Sequence, residues 1–382
     1  MTNRPTKTLS ALAACALLAT ACASDPGSGT ASSPAKRNVI LFLGDGMGVS
    51  TVTAARIYAG QQAGEPGEEH ALSFERFPNV ALVKTYNVDA QVADSAGTMS
   101  AIVTGEKTRI GHISVGAEAA HGDCPAALAN VLPTLLEQAE DAGLATGVIS
   151  TARITHATPA ATYAHVPNRD WESDAQLPEA AVAAGCRDIA RQLVEFDRGD
   201  GIDVVLGGGR APFLPADAAD PEFPEVQGVR TDGRNLVEAW RSANATGRYV
   251  WNRSGFDALS PADPGPVLGL FQPSHMQFEA DRPGDPAGEP SLAEMTAFAI
   301  DKLSANPDGF FLMVEAGRID HAHHGANAYR ALVDTVALSE AVQTALDRTD
   351  HGETLVLVTA DHSHTFTISG YPRRGNPILG KI

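Results

Sequence analysis

The chain has 382 residues, of which 43% are hydrophobic, and a formal net charge of −18 at pH 7. This length and apolar content allow one large α/β domain, or two smaller ones, with a sizeable core. The negative charge argues against nucleic acid or an anionic membrane surface as the main partner, because both would repel the protein.

The N-terminus has the pattern of a secretory signal. A basic start precedes an uncharged run over residues 9–21, which is too short to span a membrane as a helix of the folded protein. Cys22 ends the stretch LLATAC, which is similar to a bacterial lipoprotein box, and LAAC at Cys15 is a less well placed candidate. We therefore expect a signal peptide over residues 1–21, a lipid anchor at Cys22 and a flexible tether over residues 22–37.

A protein with this signal would be exported to the periplasm or the cell surface. Setting Cys15 and Cys22 aside leaves Cys124 and Cys186. In an oxidising compartment two remaining cysteines favour one disulfide bond, and the alternative is two buried thiols.

Five apolar runs rich in β-branched residues predict the strands of a sheet that is buried on both faces. Helical patterns lie between them, over residues 132–143 and over residues 291–306, where a capping box starts the helix. Residues 212–233 and 261–290 are rich in Pro, Asp and Gly and are predicted to be surface loops. The alternation of predicted strands and helices along the chain indicates a mainly parallel α/β sheet. The predicted strands are residues 38–46, 145–151, 202–209, 310–317 and 354–362.

Polar side chains follow these strands directly. Asp45, Glu315 and Asp361 each stand at or just beyond the end of an apolar run. Ligands of open α/β sheets bind beyond the carboxyl ends of the strands. We therefore expect the three carboxylates to contribute to one site.

The run DHAHH contains four side chains able to bind a metal within five residues. If it lies in a helix, Asp320 and His324 share one face, and a carboxylate with an imidazole suits zinc. The alternative is a solvated polar turn. TADHSH follows the last predicted strand, where Asp361 and His362 can converge on an ion or form an ordinary polar turn.

Residues 93–105 predict a helix that begins after Asp94 and ends at Gly105. Ser95 then lies in the first turn, where the positive end of the helix favours an alkoxide or a bound phosphate. Ordinary capping is the alternative. Arg169 offers a planar fork for two phosphate oxygens, or else a surface ion pair.

From about Asn38 to its end, the chain resembles the alkaline phosphatases. Five motifs stand in the order of that family: GDGMG, DSAGT, HATPAATYAH with NRDW, GRIDH with HH, and TADHSH. His156, His321 and NRDW are similar to the animal-type branch. The resemblance implies a three-layer α/β sandwich around a large, mainly parallel sheet, hydrolysis of phosphate monoesters, and a homodimer.

The resemblance also implies roles for individual residues. Ser95 would be the nucleophile that becomes phosphorylated, and Arg169 would hold the phosphate oxygens. The implied metal ligands are Asp45, Asp361 and His362 for one zinc ion; Asp320, His324 and one further histidine for another; and Asp45, Thr158 and Glu315 for magnesium. The residues expected close to these ligands, or on the phosphate side, are His156, His321, His323 and His364.

Two further features follow from the resemblance to the animal-type enzymes. Cys124 and Cys186 match a disulfide position. Four positions align with a calcium site, although Gln replaces Glu at one of them and Glu replaces Asp at another. These four are Glu222, the Phe271 carbonyl, Gln272 and Glu289.

In the family, the further histidine of the second zinc ion lies well beyond TADHSH. Residues 365–382 contain no histidine. We therefore expect this ligand and the last strands of the family fold to lie beyond Ile382, which would leave an exposed sheet edge. Within the chain, His364 and His323 are the candidates to replace it.

Two alternatives to a phosphomonoesterase stay open at this point. One is a phosphodiesterase or sulfatase of the same superfamily, although Ser95 in DSAGT favours monoesters because the diesterases commonly carry threonine there. The other is a non-catalytic protein that binds metal or phosphate. The second alternative would follow from the absence of the third zinc ligand, and two tightly bound zinc ions per chain would argue against it.

Overall fold

The computed structural model describes residues 38–381, and its seven strands form one parallel sheet. The signal peptide, Cys22 and the tether predicted above lie outside the described residues. No helix of the described residues is long and apolar enough to cross a membrane. The strands are β1 (Asn38–Gly44), β2 (Ala145–Arg153), β3 (Val204–Gly208), β4 (Arg248–Val250), β5 (Val267–Leu270), β6 (Phe310–Ala316) and β7 (Thr354–Ala360).

The strands pair in the order β4-β5-β3-β2-β6-β1-β7, and every pair is parallel. Parallel strands need crossover connections, which helices provide. The α-helices are α1 (Val49–Gln62), α2 (Ser95–Thr104), α3 (Cys124–Ala129), α4 (Leu135–Asp141), α5 (Ala157–Ala160), α6 (Glu179–Ala183), α7 (Ile189–Val194), α8 (Leu236–Ala243), α9 (Arg253–Asp257), α10 (Leu292–Leu303), α11 (Arg318–His324) and α12 (Ala328–Arg348). Short 3-10 helices span Ser73–Arg76, Asp174–Gln176, Ala211–Phe213 and Arg282–Gly284.

The sheet is covered on both faces, as successive residues of β1 demonstrate. Ile40 and Phe42 belong to one hydrophobic core with residues of α10 and α12, whereas Leu41 and Leu43 belong to a second core with residues of α2 and α4. Burying each such side chain stabilises the fold by about 1.5–3 kcal/mol. The two cores give the helix–sheet–helix arrangement and confirm the predicted α/β fold class.

The five predicted strands are all present, but two short ones escaped prediction. β4 has three residues and β5 has four, so neither is long enough to show a clear pattern. β5 lies within residues 261–290, so that segment is not wholly a surface loop. Residues 212–233 also differ from a surface loop, because Arg230 is fully buried between Asp188 and Asp232.

Local signals set the ends of the helix that carries Ser95. The Asp94 side chain accepts a hydrogen bond from the backbone N–H of Gly97, and Gly105 ends α2 in the left-handed conformation with φ of 80°. Both features were predicted. The helix therefore points its first turn, with Ser95, at the carboxyl edge of the sheet.

Two predictions about covalent and edge structure have their counterpart in the fold. Cys124, at the start of α3, forms a disulfide bond with Cys186, and both are buried. The disulfide is thus confirmed.

The strand β7 pairs with β1 alone among the described strands, and Leu355 and Leu357 on β7 are 54% and 44% exposed.

Candidate active site

Four acidic side chains meet at the carboxyl edge of the sheet. Asp45 follows β1, Glu315 lies near the end of β6, and Asp361 follows β7. β1 pairs with both β6 and β7, so these carboxylates are brought side by side. Asp320 joins them from α11, the helix that follows β6. All four are at most 6% exposed.

The charge of this group needs compensation. Burial raises the pKa of Asp45 well above its usual range, and the neighbouring Asp361 and Asp320 raise it further. Burial also raises the pKa of Glu315 to about 7. Carboxylates crowded away from water stay ionised only beside positive charge. The group therefore fits divalent cations.

The Ser95 hydroxyl lies against this acidic group. Its Oγ is 3.2 Å and 3.3 Å from the two oxygens of Asp45 and 3.3 Å from Nε2 of His362. Ser95 is 4% exposed and stands in the first turn of α2. The hydroxyl thus meets a carboxylate, an imidazole and the positive end of a helix at one point.

His362 presents a bare ring nitrogen to the carboxylates. Its Nδ1 is 2.9 Å from the carbonyl oxygen of Ser363, which can only accept, so Nδ1 carries the proton. Nε2 then has a lone pair, and it lies 3.4 Å from Asp45 Oδ1 and 3.5 Å from Asp361 Oδ2. A lone pair facing two carboxylates is repelled unless a cation lies between them. This is the tautomer that a metal ligand requires.

Asp320 and His324 share one face of α11, as the spacing predicted. Their side chains approach to 3.4 Å, Nε2 to Oδ2. His364 approaches the other oxygen of Asp320 at 3.6 Å through Nε2. The backbone N–H of Thr365 donates to Nδ1 of His364 at 2.9 Å, so the proton of the neutral ring is on Nε2. The separation of 3.6 Å is longer than a hydrogen bond, and Asp320 Oδ1 has no hydrogen-bond partner among the described residues.

His323 lies behind His364, away from the carboxylates. It is 7% exposed, and its Nε2 is 2.9 Å from the hydroxyl of Thr51 in α1. Its ring stacks on His364 with centroids 5.2 Å apart. His323 thus contacts both Thr51 and His364.

Among the described residues, ligand atoms converge in three groups, each compact enough for one ion. In the group formed by Asp45, His156 and Glu315, the buried atoms Glu315 Oε1 and His156 Nδ1 have no hydrogen-bond partner in the described part of the chain. The nearby Thr158 Oγ1 has no such partner either. Such orphaned polar atoms indicate a missing partner. The groups are Asp320, His324 and His364; Asp45, Asp320 and His362; and Asp45, His156 and Glu315.

Arg169 connects the phosphate side to the helix of Ser95. One guanidinium nitrogen is 3.2 Å from Asp94 Oδ2, and the other is 3.0 Å from His156 Nε2. Since arginine can only donate, His156 accepts at Nε2 and the proton of its neutral ring is on Nδ1. Burial and Arg169 hold the pKa of His156 well below its usual range, so the ring is neutral.

Comparison with known proteins decides the family. Residues 36–382 match the family model Alkaline phosphatase. The tissue-nonspecific isozyme of alkaline phosphatase from Gallus gallus is 49% identical over 350 residues, which cover 90% of this chain and 67% of that protein. The chain belongs to the alkaline phosphatase family. Its members are phosphoric monoester hydrolases, and the predicted family is confirmed.

Other alkaline phosphatases agree in sequence and fold. The enzyme of Gadus morhua is 47% identical over 349 residues, covering 90% of this chain and 72% of that protein. The crystal structure of the Thermus thermophilus alkaline phosphatase superposes with a TM-score of 0.68 at 30% identity, covering 86% of this chain and 60% of that one. This chain thus spans about two thirds of the length of the relatives that it matches.

Two residues of this alkaline phosphatase site were missed in the sequence. His275 packs its ring against His321 at 4.1 Å and against His156 at 5.3 Å. Arg153, just after the predicted second strand, lies 2.6 Å from His275 Nε2 and pairs with Glu172. His275 stands alone in a segment predicted as a loop, so no local pattern singles it out.

The residues aligned with a calcium site lie close together, with one addition. Glu222 accepts from Arg210 at 2.9 Å, and Gln272 donates to Asp285 at 2.6 Å. Asp285 was not predicted. One oxygen each of Asp285 and Glu289 has no partner in the described part of the chain, and burial raises the pKa of Glu289 to about 8. Asp285 thus supplies a carboxylate beside the position where glutamine stands.

Proposed function

We propose that this chain hydrolyses phosphate monoesters through Ser95 and releases an alcohol and inorganic phosphate. The observation that carries the proposal is the position of the Ser95 hydroxyl, within 3.3 Å of both Asp45 and His362 at the start of a helix. A serine hydroxyl is a weak nucleophile near neutral pH and needs such activation. The family to which the chain belongs supports the same reaction.

We propose two zinc ions and one magnesium ion as cofactors. The zinc ligands would be Asp45, Asp361 and His362 in one site and Asp320 with His324 in the other; the magnesium ligands would be Asp45, Thr158 and Glu315. The bare Nε2 of His362 and the crowded carboxylates support this fit. When bound, the ions would lower the energy of negative charge on the attacking and leaving oxygens.

The protein groups then have separate tasks. Asp45 accepts the hydroxyl hydrogen bond of Ser95 and so directs a lone pair of Oγ toward the substrate. As the bond from Oγ to phosphorus forms, the hydroxyl proton of Ser95 passes to solvent water, the bond from phosphorus to the alcohol oxygen breaks, and the alcohol oxygen takes a proton from water. Water then attacks the phosphoserine and frees inorganic phosphate and the Ser95 hydroxyl.

Arg169 would bind the phosphoryl group during both steps. A guanidinium has five N–H donors, and the contacts with Asp94 and His156 engage only part of them. Because Asp94 also caps the helix of Ser95, the phosphate-binding group and the nucleophile are held on one frame. This arrangement meets the charge that spreads over the equatorial oxygens in the transition state.

The test is metal-dependent hydrolysis of a chromogenic phosphate monoester at alkaline pH. Ser95→Ala is expected to lower kcat at least about 10³-fold. Ser100→Ala, which removes another buried hydroxyl from the same helix, is the control and should retain turnover. Rates equal in the wild type and Ser95→Ala would contradict the proposal.

The same samples separate the alternatives. A phosphodiester or sulfate ester hydrolysed faster than the monoester would favour the other enzyme classes. A protein that binds phosphate and zinc without turnover would favour the binding-only function. Mass spectrometry after phosphate-ester incubation at low pH would detect the phosphoserine.

We also propose a calcium ion held by Glu222, Asp285, Glu289 and the oxygens of Phe271 and Gln272. The unpartnered carboxylate oxygens of Asp285 and Glu289 support it. Calcium should raise the melting temperature of the wild type more than that of Asp285→Asn. Equal shifts would remove Asp285 from the site.

Homodimerisation and export with a lipid anchor at Cys22 are further proposals, made by resemblance and from the sequence pattern. Light scattering on the purified protein tests the first. Mass spectrometry of the membrane-extracted N-terminus tests the second, with Cys22→Ala as the control.

A further inference from the structure

Arg318 is a half-buried arginine with few partners. It begins α11, two residues before Asp320. Its guanidinium carbon lies over the ring of Phe278, 3.7 Å from the ring centre. Within the described residues the guanidinium makes one hydrogen bond, from Nη1 to His321 Nδ1 at 3.0 Å, and its Nε is buried without a partner. Burial lowers the pKa of this guanidinium to about 10, although Asp334 and Glu289 raise it, so its charge is only partly compensated.

His321 is enclosed on several sides. Besides Arg318 at Nδ1, the ring of His275 lies 4.1 Å away and the ring of His156 lies 5.4 Å away, centroid to centroid. His156 in turn contacts Arg169, the residue proposed to bind phosphate. His321 therefore borders the phosphate side of the site.

The contact with Arg318 determines which nitrogen of His321 carries the proton. A guanidinium stays protonated and has no acceptor. Nδ1 of His321 must therefore accept, and the proton of the neutral ring is on Nε2. Without Arg318, nothing in the described contacts of His321 would choose between the two tautomers.

We propose that Arg318 is a positioning residue that fixes the tautomer and the orientation of His321, so that its Nε2–H is a permanent donor to an oxygen of the bound phosphoryl group. The phosphoryl ligand rests on the proposed function, whereas the tautomer does not. Phe278 helps to hold the guanidinium in place through a cation–π contact. Arg318 itself need not touch the substrate.

Arg330 offers a matched control. It approaches the same Phe278 ring from α12, at 4.6 Å. Its charge is paired with Asp281 at 2.8 Å, and it has no histidine partner. Removing Arg330 therefore takes an arginine from the same aromatic ring without touching His321.

The experiment uses the full chain with zinc and magnesium, and compares Arg318→Met, Arg318→Lys and Arg330→Met. Nitrogen-15 NMR of labelled histidines separates protonated from bare ring nitrogens, and His321→Gln assigns the signal. Calorimetry measures the binding of inorganic phosphate, which requires no turnover. In the wild type, in Arg318→Lys and in Arg330→Met we expect Nε2–H at His321.

In Arg318→Met we expect a mixture of tautomers and phosphate binding weakened by the reciprocal of the fraction of His321 that keeps Nε2–H, about twofold for an equal mixture. The double variant Arg318→Met/His321→Gln should bind phosphate no more weakly than His321→Gln alone, because Arg318 acts only through His321. This cycle separates positioning from a general loss of structure.

An unchanged His321 signal in Arg318→Met, or additive losses in the double variant, would overturn the proposal. If the methionine variant does not fold, Arg318→Lys decides: loss of the Nε2–H signal despite a retained donor overturns it. If the wild type has no phosphatase activity while the tautomer depends on Arg318, the proposed function fails and the positioning role stands.

Discussion

The two sides of the metal centre differ in how firmly their ligands are held. On the Ser95 side, Asp361 Oδ1 accepts from the backbone N–H groups of Gly46 at 3.1 Å and His362 at 2.8 Å. The Asp45 carboxylate beside it is fully buried. These contacts set the direction of the ligand atoms before any ion binds.

On the other side, the His324 side chain is 69% exposed; it approaches Asp320 at 3.4 Å and the ring of His364, with centroids 4.6 Å apart. Ordering an exposed side chain costs conformational entropy each time an ion binds, whereas a prepositioned ligand has lost that freedom on folding. The centre therefore combines a preorganised part on the Ser95 side with an adaptable part at His324. We expect the two parts to respond differently to substitution.

Asp45→Asn should have the largest effect, because Asp45 belongs to two of the three ligand groups. We expect kcat to fall at least about 10³-fold, since single electrostatic partners already contribute about 10²–10³. The metal-free variant should be more thermostable than the metal-free wild type, because one repelling carboxylate is gone. Activity assays and thermal unfolding with a chelator check both, and a less stable metal-free variant would contradict the repulsion argument.

The buried side should also control the pH dependence of the metal-free protein. Glu315 has its pKa raised from 4.5 to about 7 in the folded chain, so the folded state holds a proton that the unfolded state releases. Stability should therefore be highest below pH 4.5 for this group and fall by about 3 kcal/mol as the pH rises to 7. Denaturant unfolding from pH 5 to 8 measures the slope.

Glu315→Gln should flatten that slope, and bound metal should remove it from the wild type. A slope that persists in the variant would assign it to other buried acids, such as Asp334, whose pKa burial raises to about 8.

His362 and His324, which we propose as zinc ligands on different sides, allow a direct comparison. We expect His362→Gln to weaken zinc binding about tenfold more than His324→Gln, because the first removes a nitrogen with a fixed tautomer and the second removes an exposed ring. Competition with a chromogenic chelator measures both affinities. Equal losses of zinc affinity in the two variants would contradict the expected difference between the two sides.

The smallest effect is expected at the sheet edge next to this centre. Leu357 of β7 is 44% exposed, and a lysine there should change the free energy of unfolding by less than about 0.5 kcal/mol. It should reduce self-association, because charged residues protect exposed edges. Light scattering at increasing concentration checks this, and unchanged association would mean that the edge is not a contact surface.

Much of this architecture could be predicted from local patterns. Continuous apolar runs marked the five long strands, and Asp94 with Gly105 marked the ends of α2, because caps and breakers act within a few residues. The spacing of Asp320 and His324 placed both on one helical face. Short strands such as β4 and β5 were missed because three or four residues do not establish a period.

The motifs and apolar runs of the sequence were enough to predict the family, the order of the five long strands along the chain and the residues able to bind metal. The tertiary structure was needed to establish which ring nitrogens carry a proton and which groups they contact. The bare Nε2 of His362, the backbone contact at Nδ1 of His364 and the contact of Arg318 with His321 depend on the direction of the backbone and of the side chains in space. The position of a ring proton depends on the donors and acceptors around the ring in space, and the spacing of residues in the sequence does not specify them.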